Sequence, residues 1–220
     1  TKSRLQMAFQ TSGHSMAALR AMSYFPGSAE FSDMTGGVDF YRFIEELDAQ
    51  FEKKQPEISE KLSELMDFLF RPENLVVSCT AERKSLEGLT EQVEKLSLTL
   101  HRDGKKAVAW SVKPEKKNEG LKTSAQIQYV CRAGNFRAAG LPYTGALKVL
   151  RTIMSYDYLW NNIRVKGGAY GCMNNYARTG NAYLVSYRDP NLEKTNEIFE
   201  KSVDYTESSD VSDRDMTKYI

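Results

Sequence analysis

Within about forty residues, from Leu147 to Arg188, the chain changes its hydrophobic period. That change limits the fold more than any other feature of the sequence. After Pro142-Tyr143-Thr144, the apolar residues Leu147, Leu150, Met154 and Tyr158 recur at intervals of three, four and four. This is the spacing of one buried helix face, and it predicts a long helix ending near Trp160-Asn161-Asn162. Ile163-Arg164-Val165-Lys166 and a Gly167-Gly168 break follow, then a strand expected from Ala169 to Ala177. Arg178-Thr179-Gly180-Asn181 makes a tight connection, and Tyr183 to Arg188 returns antiparallel. Asp189-Pro190 opens another helix, with proline in its favoured first position. Upstream, Ala125 to Cys131 alternates as a half-buried strand. Helices feeding directly into antiparallel pairs predict an α+β fold.

The first hundred residues read as mostly helical. Ser12 or Ser15 caps a helix to about Tyr24, which Pro26-Gly27-Ser28 breaks, and Thr35-Gly36-Gly37 precedes a second. Pro56 opens a third, with Ile58, Leu62, Leu65, Met66 and Leu69 on one face. Leu75 to Thr80 is expected as a buried strand, and Ser85 caps a helix that turns Leu86, Leu89, Val93 and Leu96 inward. Residues 103–122 are polar and turn-rich, with Val108-Ala109-Trp110 a candidate strand or anchor among them. The expected organisation is two partial or truncated domains, each with helices packed on a mainly antiparallel sheet. They span 1–102 and 123–220, joined by a linker over 103–122. At the C-terminal end, Ser212 to Ile220 opens a helix that stops after about two turns, so a piece of a larger polypeptide is expected.

Composition removes several function classes. Of 220 residues, 41% are hydrophobic and 27% charged, which excludes a disordered or fibrous chain. Thirty basic residues against 29 acidic ones leave a net charge of +1, so no global field draws nucleic acid or an anionic membrane. No apolar run approaches the roughly 20 residues that span a bilayer. Cys79, Cys131 and Cys172 form no Cys-x-x-Cys pair and read as small buried apolar residues of a reducing compartment, not as a disulfide framework or a metal site. The expectation is cytoplasmic, with an organellar matrix as the other such compartment. His14 and His101 lie in neither H-E-x-x-H nor H-x-x-E-H, so no metal site is expected from this chain. No G-x-S-x-G elbow is present. Gly167-Gly168-Ala169-Tyr170-Gly171 follows a helix and opens a strand, the reverse of a phosphate loop. The tyrosines at 170, 176, 183 and 187 suit base stacking, but only Arg178 and Arg188 flank them, and nucleic acid is not expected.

Arg164 and Tyr170 remain as candidate chemistry. A fixed guanidinium and a neutral phenol supply two donors that suit a polarised carbonyl or a developing oxyanion. On the residues alone, an Arg paired to a surface carboxylate and a Tyr packed on its sheet is the favoured reading.

The run Ser155 to Trp160 and then Arg164-Val165-Lys166-Gly167-Gly168-Ala169-Tyr170-Gly171 resembles the C-terminal Arg/Tyr segment of the pitrilysin/insulinase zinc metallopeptidases, above all their presequence-protease branch. Ala21 to Phe25, Gly36 to Tyr41, Asn74 to Ser78 and Ser186 to Leu192 are similar to that branch as well. The resemblance implies a clamshell of two α+β halves, of which this chain is the C-terminal one. Residues 1–102 would close the third peptidase-like domain, and 123–220 would form much of a fourth, cut short at its C-terminal end. It implies an ATP-independent zinc metalloendopeptidase that degrades unfolded peptides. Arg164 and Tyr170 would act at the active site and bind the substrate backbone, with Gly167 and Gly168 shaping the turn that presents them. Zinc would be held by H-x-x-E-H and a distal Glu of the N-terminal half; none is expected in this chain, which alone would be inactive. The implied partners are the peptide and that N-terminal half, with self-association through the uncovered surface, and neither nucleic acid nor membrane. The alternative is a non-catalytic relative that binds peptides or serves as a structural subunit.

Overall fold

The computed structural model describes residues 1–25, 28–102, 115 and 117–219. Most of the expected linker, including Val108-Ala109-Trp110, and the Pro26-Gly27 break lie outside the described residues. The chain separates into two compact units, one formed by Thr1–Glu46 with Val112–Ile220 and the other by Leu47–Ser111.

The first unit is a three-stranded antiparallel sheet with helices on both faces. The order is β1 (Cys131–Asn135), β3 (Asn181–Tyr187), β2 (Gly171–Tyr176), so β3 is central. Cys131 pairs with Val185 on one side of β3, and Gly171 pairs with Tyr187 on the other. The fold is therefore α+β, as the sequence indicates. The alternating strand expected at 125–131 forms later, at 131–135. Gln128 contributes only a bridge to Asp189.

Side chains alternate across β3, so one face carries Tyr183, Val185 and Tyr187 and the other Leu184 and Ser186. The helix α2 (Gly13–Met22), which follows α1 (Lys2–Thr11), lies along β1 and β3. It comes close because its first residue has no side chain: a Cβ on Gly13 would stand 2.3 Å from the Tyr129 ring. Arg20 near the end of α2 is buried. It pairs with Asp33 on α3 (Ser28–Gly36) at 2.6 Å, with Asp39 on α4 (Val38–Ala49) at 3.0 Å, and with Glu119 at 2.7 Å. Tyr24 also donates to the Glu119 carboxylate.

The opposite face carries the main core. The helix α7 (Ala146–Ile153) runs without a break into a wider-wound π-helical stretch, Met154–Val165, and α8 (Glu193–Glu200) packs beside it. Met154, Tyr158, Leu159 and Ile163 are buried there with Val130, Ala169 and Phe199. Continued α-helical winding, at about 100° per residue, would place Ile163 about 180° from Met154 and bring the polar Asn161 inward instead. The wider ladder, seen in the Lys166 N–H donating to the Asn161 carbonyl five residues back at 3.0 Å, gathers the apolar residues onto one stripe. Asn161 and Asn162 stay out of the core and donate to the Asp157 and Tyr158 carbonyls, each at 2.8 Å. The expected helix end at 160–162 is thus moved to Val165, because the chain still has Ile163 to bury. The buried Asn174 of β2 ties the sheet to α7 by donating to the Arg151 carbonyl at 3.2 Å and the Ser155 hydroxyl at 2.8 Å. Downstream, α9 (Ser202–Ser208) precedes α10 (Asp213–Tyr219), whose Tyr219 hydroxyl donates to Asp157.

The second unit holds α5 (Phe51–Leu69), 3-10 turns at Pro72–Asn74 and Arg83–Leu86, and α6 (Leu89–Leu98). Pro56 lies inside α5 rather than opening it: the helix starts five residues earlier, and Glu52 simply lacks a helical donor from residue 56. Leu75 to Thr80 does not form the expected buried strand; it is unpaired, and Val76 is 89% exposed. Its β-branched run has no sheet to join among the described residues of this unit. Leu62, Leu65, Met66 and Leu69 on α5 are also exposed, as are Leu86 and Leu96, which were expected to face inward.

Two outcomes follow from these contacts. The hydrogen bond from Arg20 holds the Glu119 carboxyl down to about 2, against an ordinary value of 4.5. A carboxyl lowered by folding stabilises above its unfolded value, and that contribution disappears as the pH falls from about 4.5 through about 2. Urea denaturation at stepped pH should show this loss, and Glu119→Gln should remove it; an unchanged profile in the variant contradicts the pairing. At the helix end, a Cβ on Gly167 would stand 2.5 Å from the Ile163 carbonyl oxygen, a backbone atom that cannot step aside. Gly167→Ala should cost about 1–3 kcal/mol in the same assay; a cost below about 0.5 kcal/mol, the ordinary range of a surface change, contradicts the tight turn.

Candidate functional site

The π-helical stretch ends in a turn that the two glycines make possible. The Gly168 N–H donates to the Arg164 carbonyl at 3.0 Å, and the Ala169 N–H reaches back to Ile163 at 3.1 Å. Gly168 has a φ of +79°, which a side chain would strain. The Asn191 side chain locks the turn from outside, donating to the Gly167 carbonyl at 2.6 Å. The chain reverses in a few residues and delivers Tyr170 to the start of β2.

This reversal brings Arg164 and Tyr170 together. The Arg164 guanidinium donates to the Tyr170 backbone carbonyl. Its carbon lies 4.5 Å from the Trp160 ring centre and 5.4 Å from that of Tyr170. Two π faces and one carbonyl therefore hold the charge in place. A guanidinium has five N–H donors, so most of them remain available to a ligand. The Tyr170 N–H donates to the Tyr187 carbonyl at 3.0 Å, and the Tyr170 ring meets Tyr187 edge-on at 5.7 Å. Behind Tyr187 stand His14, at 4.8 Å, and Tyr129, at 5.7 Å, so α2 supports the site through a chain of rings. Burial lowers the His14 pKa, which keeps that support uncharged near neutral pH. The Tyr170 side chain itself is 66% exposed.

The two residues open onto one concavity of about 530 Å³, which Trp160, Gly168 and Arg188 also line. Of the four candidate residues, Arg164, Gly168 and Tyr170 line this concavity, and Gly167 belongs to the turn beside it. Among the described residues neither Arg164 nor Arg188 is paired with a carboxylate.

Sequence reasoning missed Trp160 and Arg188. The first was legible as the residue one helical turn before Arg164. The second follows from the hairpin register: Gly171 pairs with Tyr187, so Tyr170 falls beside Arg188. The Tyr170 N–H indeed lies 3.3 Å from the Arg188 carbonyl. Arg188 is the only non-glycine residue with a positive φ among those described, at +50°, a conformation that costs an L-residue roughly 1–2 kcal/mol. The turn is enforced by Asp189, which is fully buried. Its carboxylate accepts from the Thr195 hydroxyl at 2.7 Å and the Asn191 N–H at 2.8 Å.

Other chemistry finds no support in the geometry. No three His, Cys, Asp or Glu side chains converge as metal ligands among the described residues, so these residues do not fit a zinc centre. Burial pushes the Cys131 thiol up to about 12 and the Cys172 thiol to about 11, away from nucleophilic use. No helix among the described residues is long and apolar enough to cross a membrane.

Comparison with known proteins points to one family. Residues 118–220 match the sequence model of the PreP C-terminal domain, and residues 1–47 match that of the Peptidase M16C associated region. Protein HypA of Clostridium perfringens is 36% identical over 219 residues, covering all of this chain and 22% of that protein. Presequence protease 1, chloroplastic/mitochondrial, of Arabidopsis thaliana is 30% identical over all of this chain and 21% of its own length. The mitochondrial presequence protease of Yarrowia lipolytica is 32% identical over 96% of this chain and 22% of its own length. The chain spans about a fifth of the length of these relatives. It belongs to the presequence-protease-like peptidases of the M16 (pitrilysin/insulinase) family.

Proposed function

We propose that this chain is the C-terminal, substrate-binding half of an ATP-independent zinc metalloendopeptidase that degrades unfolded peptides. One observation carries the reading. The Arg164 guanidinium, fixed between the Trp160 and Tyr170 rings, already donates to a peptide carbonyl, that of Tyr170. Arg164 and the exposed Tyr170 line the same concavity. A substrate carbonyl entering there accepts from both. As its oxygen gains negative charge in the tetrahedral state, those bonds strengthen, because a charged acceptor binds a donor more tightly than a neutral one. Neither donor has to lose a proton to do this, and the Gly167-Gly168 turn brings the two residues together.

In this reading, residues 1–102 end the third peptidase-like domain and 123–220 belong to the fourth, joined through 103–122. Zinc would be held by the N-terminal half of the same polypeptide, where it would supply an activated water. The exposed apolar residues of α5 and of Leu75 to Thr80 are surface for that half to cover, or for self-association when it is absent. The three free thiols suit a reducing compartment, the cytoplasm or an organellar matrix.

Arg164→Ala and Tyr170→Phe in the full-length protein should each lower kcat/KM for an unfolded peptide by about tenfold or more, as loss of a transition-state donor does. Wild-type kinetics in both variants contradict the assignment. Elemental analysis of this chain after dialysis should find far less than one zinc per molecule. One tightly bound zinc contradicts the placement of the metal on the other half.

A further inference from the structure

Arg188 plays no part in holding a peptide carbonyl, yet three features set it apart. Its backbone adopts a conformation that glycine or asparagine would take more readily. That backbone is clamped on both sides. The Tyr170 N–H approaches its carbonyl at 3.3 Å, and the following Asp189 exchanges both backbone hydrogen bonds with Gln128, at 2.9 and 3.1 Å. Finally, its side chain is exposed on the wall of the same concavity as Arg164. The strained position therefore carries a long cationic side chain where a small residue would suffice, and its direction is set by a rigid turn.

The charge balance gives that side chain a task. Two permanently charged guanidinium groups line one concavity, and among the described residues no acidic side chain lines it with them. Arg164 meets two aromatic faces and a carbonyl, whereas among the described residues the Arg188 guanidinium meets the Tyr187 ring alone, 5.7 Å from its centre. Like charges lining one hollow are relieved by an anion that both can approach. A planar carboxylate matches the fork of an arginine.

We propose that Arg188 is a specificity-determining residue that selects peptides presenting a carboxylate close to the carbonyl held by Arg164 and Tyr170. The carboxylate is either an acidic side chain or the free C-terminus of the peptide. The inference rests on the peptide-binding reading of the site, but it does not require cleavage.

The test uses two peptide pairs on the 220-residue chain, with affinity read by calorimetry. One pair differs by Glu against Gln at a single position, the other by a free against an amidated C-terminus. The acid member of at least one pair should bind about tenfold more tightly, the range of a charge-assisted hydrogen bond. Arg188→Gln should reduce that ratio to near one while leaving the amide peptide within about twofold and the melting temperature unchanged. Whichever pair responds identifies the source of the carboxylate. Equal binding of acid and amide by the wild-type chain, or a ratio that survives in Arg188→Gln, overturns the proposal. Arg164→Ala separates the two readings. Loss of both acid and amide binding there, with the ratio lost only in Arg188→Gln, supports both. Amide binding that survives Arg164→Ala counts against the carbonyl site alone.

Discussion

Met154, Tyr158, Leu159 and Ile163 share one face only because the helix that carries them winds wider than an α-helix. The core of the first unit depends on that winding, since these four side chains are buried together with Val130, Ala169 and Phe199. The same winding decides where Arg164 emerges. With Ile163 turned inward, the next residue lies at the rim of the core, one turn after Trp160 and level with the start of β2. The Gly167-Gly168 turn can then return the chain close enough for the guanidinium to reach the Tyr170 carbonyl. Packing of apolar residues and placement of the polar site are thus one constraint. Breaks in regular helical winding often accompany functional sites, and here the reason is visible in the residues.

The other face of the sheet supports the site indirectly. The ring chain from His14 and Tyr129 through Tyr187 to Tyr170 depends on α2 lying close to β1 and β3. That approach is possible because Gly13 leaves room for the Tyr129 ring. The far end of α2 is fixed by Arg20, which lies between the carboxylates of Asp33, Asp39 and Glu119. Burial, and then the hydrogen bond it donates to Glu119, push Tyr24 up to about 12, so this cluster keeps its phenol protonated. A buried arginine among several carboxylates is costly to unpair. Segments distant in sequence, 20–39 and 119, are therefore held as one framework around the sheet.

Much of this was legible in the sequence where periodicity and turn chemistry agreed. The hairpin of β2 and β3 and the Gly-Gly reversal form close to where their residues place them. The helix expected to open with Pro190 in its first position begins only at Glu193, because Asp189 to Leu192 form a turn closed by the Asp189 carboxylate on the Asn191 N–H. Local signals failed where tertiary demands competed with them. Asn161-Asn162 reads as a helix end, but Ile163 still had to be buried, so the helix continued with altered winding. Leu75 to Thr80 has the residues of a buried strand but no partner among the described residues, since β propensity reflects a fitting surface more than a backbone preference. The alternation at 125–131 marked a strand, yet pairing with β3 begins at Cys131, where the register matches Val185. Within the site, the Arg/Tyr pair was visible as a motif. Arg188 was hidden, because its relation to Tyr170 exists only through the hairpin register.

The account stands on one contact, a peptide carbonyl accepting from Arg164 and Tyr170. The most direct measurement is infrared spectroscopy of this chain with a peptide carrying a single ¹³C-labelled carbonyl at successive positions. The account predicts that one labelled position shifts to lower frequency on binding, and that Arg164→Ala abolishes the shift while the chain remains folded. A bound peptide in which no labelled carbonyl shifts, or a shift that persists in Arg164→Ala, would contradict it.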